Sequence, residues 1–293
     1  MAELFKNFRE DKPEEVFAYL ASRIQKLDEV LGRGNYMMIG AYVRDHYLLE
    51  AKLKPYRSTQ DVDFSVAVTA EEDFLEKLEL IGRQSGAGAG QGSSSERSVL
   101  CRIMDGGVEV DILPFGQFVQ DGIYKHGEKQ WDVTGQAESF GVAVPWEVQE
   151  GFAVKIPPLH CMLGLKIIAW GIRHEIYGDK DAEDFHKLLE AGVKLEEKNI
   201  FNSGEGRPYL EECDYDSQKA SVKLISDRLS RDFRGLALSR CQEILSDEGV
   251  QAEFERVCRK RSISAGSIFE HEYRERFDCF SEAFLASRDL LEM

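Results

Sequence analysis

Strict alternation of polar and apolar residues over residues 61–68 is the feature that most constrains how this chain can fold. Successive side chains of a β-strand point to opposite faces, so an alternating segment has one buried face and one polar face. The apolar positions are Val62, Phe64, Val66 and Val68. Asp61 and Asp63 begin the polar face, and Ser65 continues it. The segment predicts a strand that packs one face on a core and presents two neighbouring carboxylates on the other.

Two carboxylates held side by side repel each other unless a cation lies between them. Hard divalent cations such as Mg²⁺ bind carboxylate oxygens and keep further positions for phosphate. The Asp-x-Asp spacing occurs three times, at 61/63, 179/181 and 214/216, in a chain with 53 acidic residues. The spacing alone is therefore also compatible with a solvated strand face. The segments on either side of the 61/63 pair favour a metal site there.

The segment before this strand predicts an anion-binding turn. Residues 36–40 read as a buried strand that runs into Gly40 and Ala41, and a helix at 41–49 follows, with Arg44 near its start. The beginning of a helix presents backbone N–H groups that bind phosphate. We therefore expect phosphate to be held where this strand meets this helix.

The segment after the strand predicts a hairpin, with strands at about 98–104 and 108–114 around Asp105-Gly106-Gly107. In the second of these strands Val108, Val110 and Ile112 share the core face. Glu109 and Asp111 then face the other side. We expect Asp111 to lie beside Asp61 and Asp63 and to complete a three-carboxylate metal site, with Glu109 at its periphery.

These residues resemble the nucleotidyltransferase superfamily of the DNA polymerase β type. Its pattern is a hydrophobic-Gly-Gly/Ser turn, then Asp-x-Asp/Glu on a strand, then a third Asp on a neighbouring strand. Ile39-Gly40-Ala41, Asp61-Val62-Asp63 and Asp111 stand in those positions, with Ala41 in place of the usual second Gly or Ser. Within the superfamily, residues 57–63 look most like the Arg-x-Thr-x-Asp-hydrophobic-Asp signature of the AbiEii-like type IV toxins, with Arg57 and Thr59 as its first two members.

The second half of the chain contains a second set of residues that resembles the same toxin family. Residues 159–170 form an apolar segment that opens after Pro157-Pro158 and contains one cation, Lys166. Arg173 follows seven residues later on the same helix face, and Asp179-Lys180-Asp181 comes next. This order resembles the motifs of the same toxin family. Without the resemblance, the same residues would be interpreted as a lysine whose aliphatic side-chain carbons are buried and as ordinary surface ion pairs.

The resemblance implies a set of site residues and their roles. Lys166 would face a cleft and, with Arg57 and Arg173, neutralise charge as pyrophosphate leaves. The implied catalytic residues are Asp61, Asp63, Asp111, Lys166 and Asp181. The implied nucleotide-binding residues are Gly40, Ala41, Arg44, Arg57, Thr59, Lys166 and Arg173. The implied metal ligands are Asp61, Asp63 and Asp111, which would hold Mg²⁺ or Mn²⁺.

The pattern of elements predicts an α/β (α+β) fold. Apolar residues at helical spacing predict a helix at 13–31, a charged helix at 70–82 and a helical pattern from 158 onward. We expect a nucleotidyltransferase-type mixed sheet with helices against one face in residues 1–155, and an all-helical C-terminal domain in residues 156–293. The active site would lie in the cleft between them.

Composition limits the classes of partner. The net charge of −16 argues against broad non-specific binding to nucleic acid, which needs phosphate neutralisation, although a local patch can still hold a tRNA. The candidate patches are Arg256, Arg259, Lys260 and Arg261, and Arg228, Arg231 and Arg234. Six dispersed cysteines without a Cys-x-x-Cys pair indicate neither a zinc motif nor a disulfide framework. With no apolar membrane-spanning run, we expect a cytoplasmic protein without a membrane partner.

The leading hypothesis is a metal-dependent nucleotidyltransferase that moves a nucleoside monophosphate from an NTP to an acceptor hydroxyl. The toxin-like resemblance implies that the acceptor is a tRNA or a protein and that a cognate antitoxin is the partner. A small-molecule nucleotidyltransferase, such as one that modifies an antibiotic, is the second hypothesis. A nucleotide-binding protein without turnover is the third, and the presence of all three aspartates disfavours it.

Overall fold

A computed structural model of the chain describes residues 13–56, 61–84, 102–105, 108–202, 204–265 and 268–286. The described chain divides into two compact units. The first runs to His46 and resumes over Lys54–Pro158, and the second combines Tyr47–Leu53 with the chain from Leu159 onward. The predicted boundary at 155/156 lies close to the end of the first unit. The assignment of residues 1–155 to a nucleotidyltransferase domain and of 156–293 to a helical C-terminal domain stays a prediction.

The first unit contains a sheet and four helices among its described residues. The helices are α1 (Pro13–Leu31), α2 (Gly40–Glu50), α3 (Glu71–Gln84) and α4 (Gln136–Gly141), of which α2 ends in the second unit. The strands are β1 (Tyr36–Ile39), β2 (Asp61–Ala67), β3 (Arg102–Asp105), β4 (Val108–Phe115), β5 (Ile123–His126), β6 (Lys129–Asp132), β7 (Val144–Gln149) and β8 (Phe152–Ile156). β5 and β6 form a separate hairpin.

The described strands of the main sheet have the order β3-β4-β2-β1-β8-β7. β2 is parallel to β4 and antiparallel to β1, whereas β1 is parallel to β8. The two outer pairs, β3 with β4 and β7 with β8, are antiparallel. The predictions of a mixed α/β sheet and of a β3–β4 hairpin are therefore confirmed. The finer prediction of a nucleotidyltransferase-type arrangement stays a prediction.

The apolar face of β2 is core, as its alternation predicts. Val62 and Phe64 are fully buried, and the Tyr36 ring of β1 meets Phe64 edge-on with centroids 5.8 Å apart. The Tyr36 hydroxyl donates to Asp28 of α1 at 2.8 Å, which fixes α1 on this face. Burying a side chain of this size contributes about 1.5–3 kcal/mol, so the apolar face stabilises the position of β2 in addition to its pairing with β1 and β4.

The polar face of the sheet is covered at one end by α4. The Phe140 ring of α4 packs on Phe115 of β4, with centroids 5.3 Å apart, and the Lys155 ammonium of β8 lies 4.1 Å from the centre of the same ring. The prediction of helices against one face did not include this contact of α4 with the polar face. Six residues are too few to show a helical period, so the sequence pattern did not indicate α4.

The second unit is helical throughout its described residues, as expected for the C-terminal half. Its helices are α5 (Leu159–Tyr177), α6 (Lys180–Asn202), α7 (Gly206–Glu212), α8 (Ser217–Asp232), α9 (Gly235–Ser246), α10 (Glu248–Ala265) and α11 (Ile268–Ala286). Phe185 of α6 meets Phe254 and Phe280 edge-on in the core. Gly164 lets α5 approach α8 closely, because a Cβ there would overlap the Phe233 ring.

Candidate metal centre

Three carboxylates converge on the polar face of the sheet. Asp61 and Asp63 lie on β2, and Asp111 lies on β4 directly opposite Asp63 in the parallel register. Paired residues of neighbouring strands project from the same face. One carboxylate oxygen from each residue lies within 4.8 Å of the others, and all three side chains are half-buried. The predicted position of Asp111 beside the Asp61/Asp63 pair is confirmed.

Glu109 shares this face and lies opposite Asp61 in the same register. The group of three converging carboxylates nevertheless consists of Asp61, Asp63 and Asp111, without Glu109. This agrees with the expectation that Glu109, which lies nearer the hairpin turn on the same face, is peripheral.

Gly40 brings the start of α2 against the carboxylate group. Ile39, the last residue of β1, lies opposite Asp63 in the antiparallel register, so Gly40 follows immediately beside it. The backbone of Gly40 has φ +76°, a conformation that favours glycine, and a Cβ at this position would overlap the Asp63 carboxylate. Close contact between a helix start and an acidic strand therefore depends on this glycine.

The donor set fits a hard divalent cation. All three groups are carboxylates, and Mg²⁺ and Mn²⁺ prefer oxygen ligands, whereas zinc sites are usually richer in nitrogen and sulfur. The strands hold Asp63 and Asp111 in fixed register, and the first turn of α2 offers backbone N–H groups that favour anions such as phosphate. The arrangement can thus hold a metal ion next to a phosphate group.

The other predicted nucleotide-binding residues of this unit have separate positions. Ala41 is buried in α2. Arg44 is fully buried, its Nε donates to Asp45 at 2.7 Å, and its guanidinium lies 5.0 Å from the centre of the Tyr56 ring. Arg44 therefore has packing and ion-pair contacts inside the unit that its sequence position did not indicate. Arg57 and Thr59 lie outside the described residues.

In the helical unit, Lys166, Arg173 and Asp181 come together in one charge cluster that also includes Asp184. The Lys166 ammonium contacts Asp181 at 3.1 Å and Asp184 at 2.7 Å. Arg173 donates to both carboxylate oxygens of Asp181, from Nε at 2.7 Å and from Nη2 at 2.9 Å. Two cations of α5 thus face two carboxylates of α6, so the formal charges of the four side chains cancel.

Burial and charge act in opposite directions on Asp181. Burial by itself raises the pKa of this carboxyl, but Lys166 and Arg173 outweigh it and hold the pKa at about 2. Asp181 is therefore ionised at neutral pH. Lys166 is only 8% exposed, against the expectation that it faces a cleft rather than the helical core. Arg173, whose side chain is 41% exposed, is the more accessible cation.

Asp184 was not among the predicted site residues. It is fully buried and makes the shorter of the two Lys166 contacts. The signal that could have identified it is the three-residue spacing from Asp181, which places both carboxylates on the same face of α6. The sequence showed this spacing without showing that both carboxylates share one lysine.

The three Asp-x-Asp pairs have three different environments. The 61/63 pair joins Asp111 on the sheet. In the 179/181 pair, Asp179 pairs with Arg256 of α10, while Asp181 belongs to the Lys166 cluster. In the 214/216 pair, the Asp216 side chain caps α8 by accepting from the backbone N–H groups of Gln218 and Lys219. The same spacing therefore has no single structural meaning.

Three of the arginines proposed as nucleic-acid patches are engaged in ion pairs. Arg228 contacts Glu196 at 2.6 Å and Glu205 at 2.7 Å, and Arg231 contacts the same Glu205 at 2.8 Å. Arg256 pairs with both Asp179 and Glu253. These contacts offset the positive charge that a phosphate backbone needs. These three arginines therefore give no support to nucleic-acid binding, whereas Arg234 is exposed and donates to the Arg231 carbonyl oxygen.

No protein-family model and no curated protein matches the chain. In the part of the chain that the structure describes, none of the helices combines the length and apolar character needed to cross a membrane.

Proposed function

We propose that this protein is a metal-dependent nucleotidyltransferase that moves a nucleoside monophosphate from an NTP to an acceptor hydroxyl. The observation that carries the proposal is the convergence of Asp61, Asp63 and Asp111 within 4.8 Å beside the start of α2. A carboxylate group that can hold metal and a helix start that favours phosphate are the two features that binding a metal–triphosphate requires.

In the proposed reaction, the acceptor hydroxyl attacks the α-phosphorus, and the bond from that phosphorus to the oxygen that bridges to the β-phosphate breaks. Pyrophosphate leaves with the electron pair. Asp61 and Asp63 would hold the metal, and Asp111 would accept the hydroxyl proton or hold a second metal. Mg²⁺ or Mn²⁺, when bound, would neutralise phosphate charge. Backbone N–H groups after Gly40 would orient the phosphates.

For the helical unit we propose a narrower role. Lys166 and Arg173 were expected to neutralise the charge of departing pyrophosphate, and Asp181 to act as a further catalytic group. Because Lys166 is balanced by two buried carboxylates, Arg173 is the more accessible cation of this cluster for an anionic ligand. Lys166 and Asp181 would then position Arg173 and hold α5 against α6. The substrate affinity of an Arg173→Ala variant tests this assignment of roles to Arg173, Lys166 and Asp181.

The decisive experiment incubates the purified chain with each α-labelled NTP and Mg²⁺ in the presence of three acceptor classes. These are total cell RNA, lysate proteins and a panel of hydroxyl-bearing antibiotics. Label transferred to tRNA or protein supports the toxin-type reaction, and label on an antibiotic supports the small-molecule alternative. Binding of NTP without label transfer to any of the three classes would favour the non-catalytic alternative.

Asp214→Asn is a matched control for the loss of a site carboxylate. Asp214 also belongs to an Asp-x-Asp pair, but it lies in a turn with φ +50°, a conformation that asparagine accepts well. Asp63→Asn should abolish transfer, and Asp214→Asn should retain it. If the protein is also the toxin of a type IV pair with a cognate antitoxin, its expression should arrest growth in a manner that Asp63→Asn relieves and Asp214→Asn does not.

A further inference from the structure

A second group of potential metal ligands lies in the helical unit, apart from the Lys166 cluster. His160 and Cys161 occupy the first turn of α5, and Asp232 is the last residue of α8. A ring nitrogen of His160, the sulfur of Cys161 and a carboxylate oxygen of Asp232 all lie within 4.8 Å of one another. Three chemically different donors thus meet where the start of one helix contacts the end of another.

Packing fixes these donors in place. Cys161 is fully buried, and His160 Nε2 lies 2.7 Å from an Asp232 carboxylate oxygen. The side chains of His160 and Asp232 are 14% and 30% exposed, so the group opens to solvent on the Asp232 side. A cation could enter there, and a water molecule could complete its coordination.

The combination of nitrogen, sulfur and oxygen donors distinguishes this group from an ordinary hydrogen bond between two helices. A His–Asp hydrogen bond alone would link α5 to α8 without a sulfur. Among the other described cysteines, buried Cys241 directs its sulfur to the Gly164 carbonyl oxygen at 3.8 Å. Cys161 is the one cysteine of the described residues that belongs to a group of converging metal-ligand side chains.

The surrounding charges permit a cation. Arg228 and Arg231 precede Asp232 on α8, and their positive charges would oppose a bound metal. Arg228 is paired with Glu196 and Glu205, and Arg231 with Glu205 and Asp227. These carboxylates offset most of the repulsion that a divalent cation would meet.

We propose that His160, Cys161 and Asp232 form a binding site for zinc or a similar borderline-soft divalent cation, with water as a fourth ligand. Zinc accepts this set of donors at about 2.0–2.3 Å, which places ligand atoms roughly 3.3–3.7 Å apart in a tetrahedron. The metal replaces the proton shared by His160 and Asp232, and this proton moves to the other ring nitrogen. The Cys161 thiol loses its proton to solvent as the metal–sulfur bond forms. The metal cross-links α5 to α8.

The test uses the full-length reduced protein, stripped of metal with a chelator and titrated with Co²⁺ as a spectroscopic probe. A thiolate ligand gives bound Co²⁺ a sulfur-to-metal charge-transfer absorption in the near ultraviolet. We expect this band to saturate at one equivalent and to be removed by Zn²⁺ competition. Cys161→Ser should abolish it, whereas Cys241→Ser, a matched buried cysteine, should keep it.

Two further variants keep the result interpretable. Asp232→Asn preserves a hydrogen bond to His160, so the fold should persist while Zn²⁺ affinity falls by about 10-fold or more. Asp63→Asn removes the candidate metal centre on the sheet and should leave the Co²⁺ band intact, which separates this inference from the proposed transferase activity. Absence of the band in the wild type, its retention in Cys161→Ser, or unchanged Zn²⁺ affinity in Asp232→Asn would overturn the proposal.

Discussion

The sheet and the helical unit each contain a cluster of acidic side chains, but the surroundings of the two clusters differ. On the sheet, Asp61, Asp63 and Asp111 converge as three like charges at a half-exposed position. In the helices, Asp181 and Asp184 are buried against Lys166, and Arg173 completes the balance. Carboxylates placed side by side favour a cation between them. In the helical cluster, Lys166 and Arg173 balance the two carboxylates.

This difference indicates which residues are suited to chemistry and which to stability. A buried ion pair repays the loss of solvation only when its geometry is good, and removal of one partner leaves a costly buried charge. A partly exposed carboxylate group can exchange water for metal with little rearrangement. We therefore expect substitutions on the sheet to affect activity and those in the charge cluster to affect folding. Four predictions test this contrast.

The largest effect should follow Asp63→Asn. Loss of this carboxylate should lower kcat of nucleotidyl transfer by roughly 10²–10³-fold or more, comparable with loss of one electrostatic catalytic group. The apolar face of β2 is unchanged, so the free energy of unfolding should stay within about 0.5 kcal/mol of the wild type. Transfer assays and urea unfolding measure the two effects. Full turnover in this variant would exclude the sheet as the catalytic centre.

Lys166→Met should have the opposite effect, with a large loss of stability. It leaves Asp181 and Asp184 buried with less compensation, at a cost of about 3–5 kcal/mol in the free energy of unfolding. Adding Asp181→Asn and Asp184→Asn should recover part of this loss, because the uncompensated carboxylates are removed. Chemical denaturation of the single and triple variants checks the prediction. Wild-type stability with weakened NTP binding would show instead that Lys166 serves the nucleotide.

The low pKa of Asp181 predicts a pH dependence of stability. Its pKa is about 2 in the folded protein against 3.8 ordinarily, so the folded state favours the ionised form. The contribution, about 2 kcal/mol, is complete above pH 4 and is lost as the pH falls toward 2. In Asp181→Asn, the free energy of unfolding should vary less over this window. Identical pH profiles for both proteins would contradict the charge-cluster interpretation.

Gly40→Ala should have a modest effect on stability and also disturb the sheet site. The positive φ alone costs about 1–2 kcal/mol for a residue with a Cβ. Because that Cβ would overlap the Asp63 carboxylate, we also expect weaker Mn²⁺ binding, measured by titration calorimetry. Gly34→Ala, also at positive φ but with open space around the added Cβ, is the matched control. Equal Mn²⁺ affinity in both variants would show that Gly40 has no effect on the metal centre.

Local patterns in the sequence determined much of the first unit. Alternation in residues 61–68 identified both faces of β2. Alternation in β4 placed Asp111 on the face of the carboxylate group, and the nearness of Glu109 to the hairpin turn indicated that Asp111 and not Glu109 belongs to the group. Helical spacing identified α1 within its observed bounds. These features depend on the fixed periods of strands and helices, which a sequence displays directly. The short α4 gave no such period and was missed.

Tertiary structure alone decided which distant residues meet. The sequence showed Lys166, Asp181 and Asp184, but only the packing of α5 on α6 showed that both carboxylates share this lysine. It likewise brought Asp232 to His160, 72 residues away in the chain. Such pairings depend on the angle and depth at which helices pack, which are set by side-chain fit over the whole interface. Periodicity therefore fixes the direction in which a side chain points, and tertiary packing selects its partner.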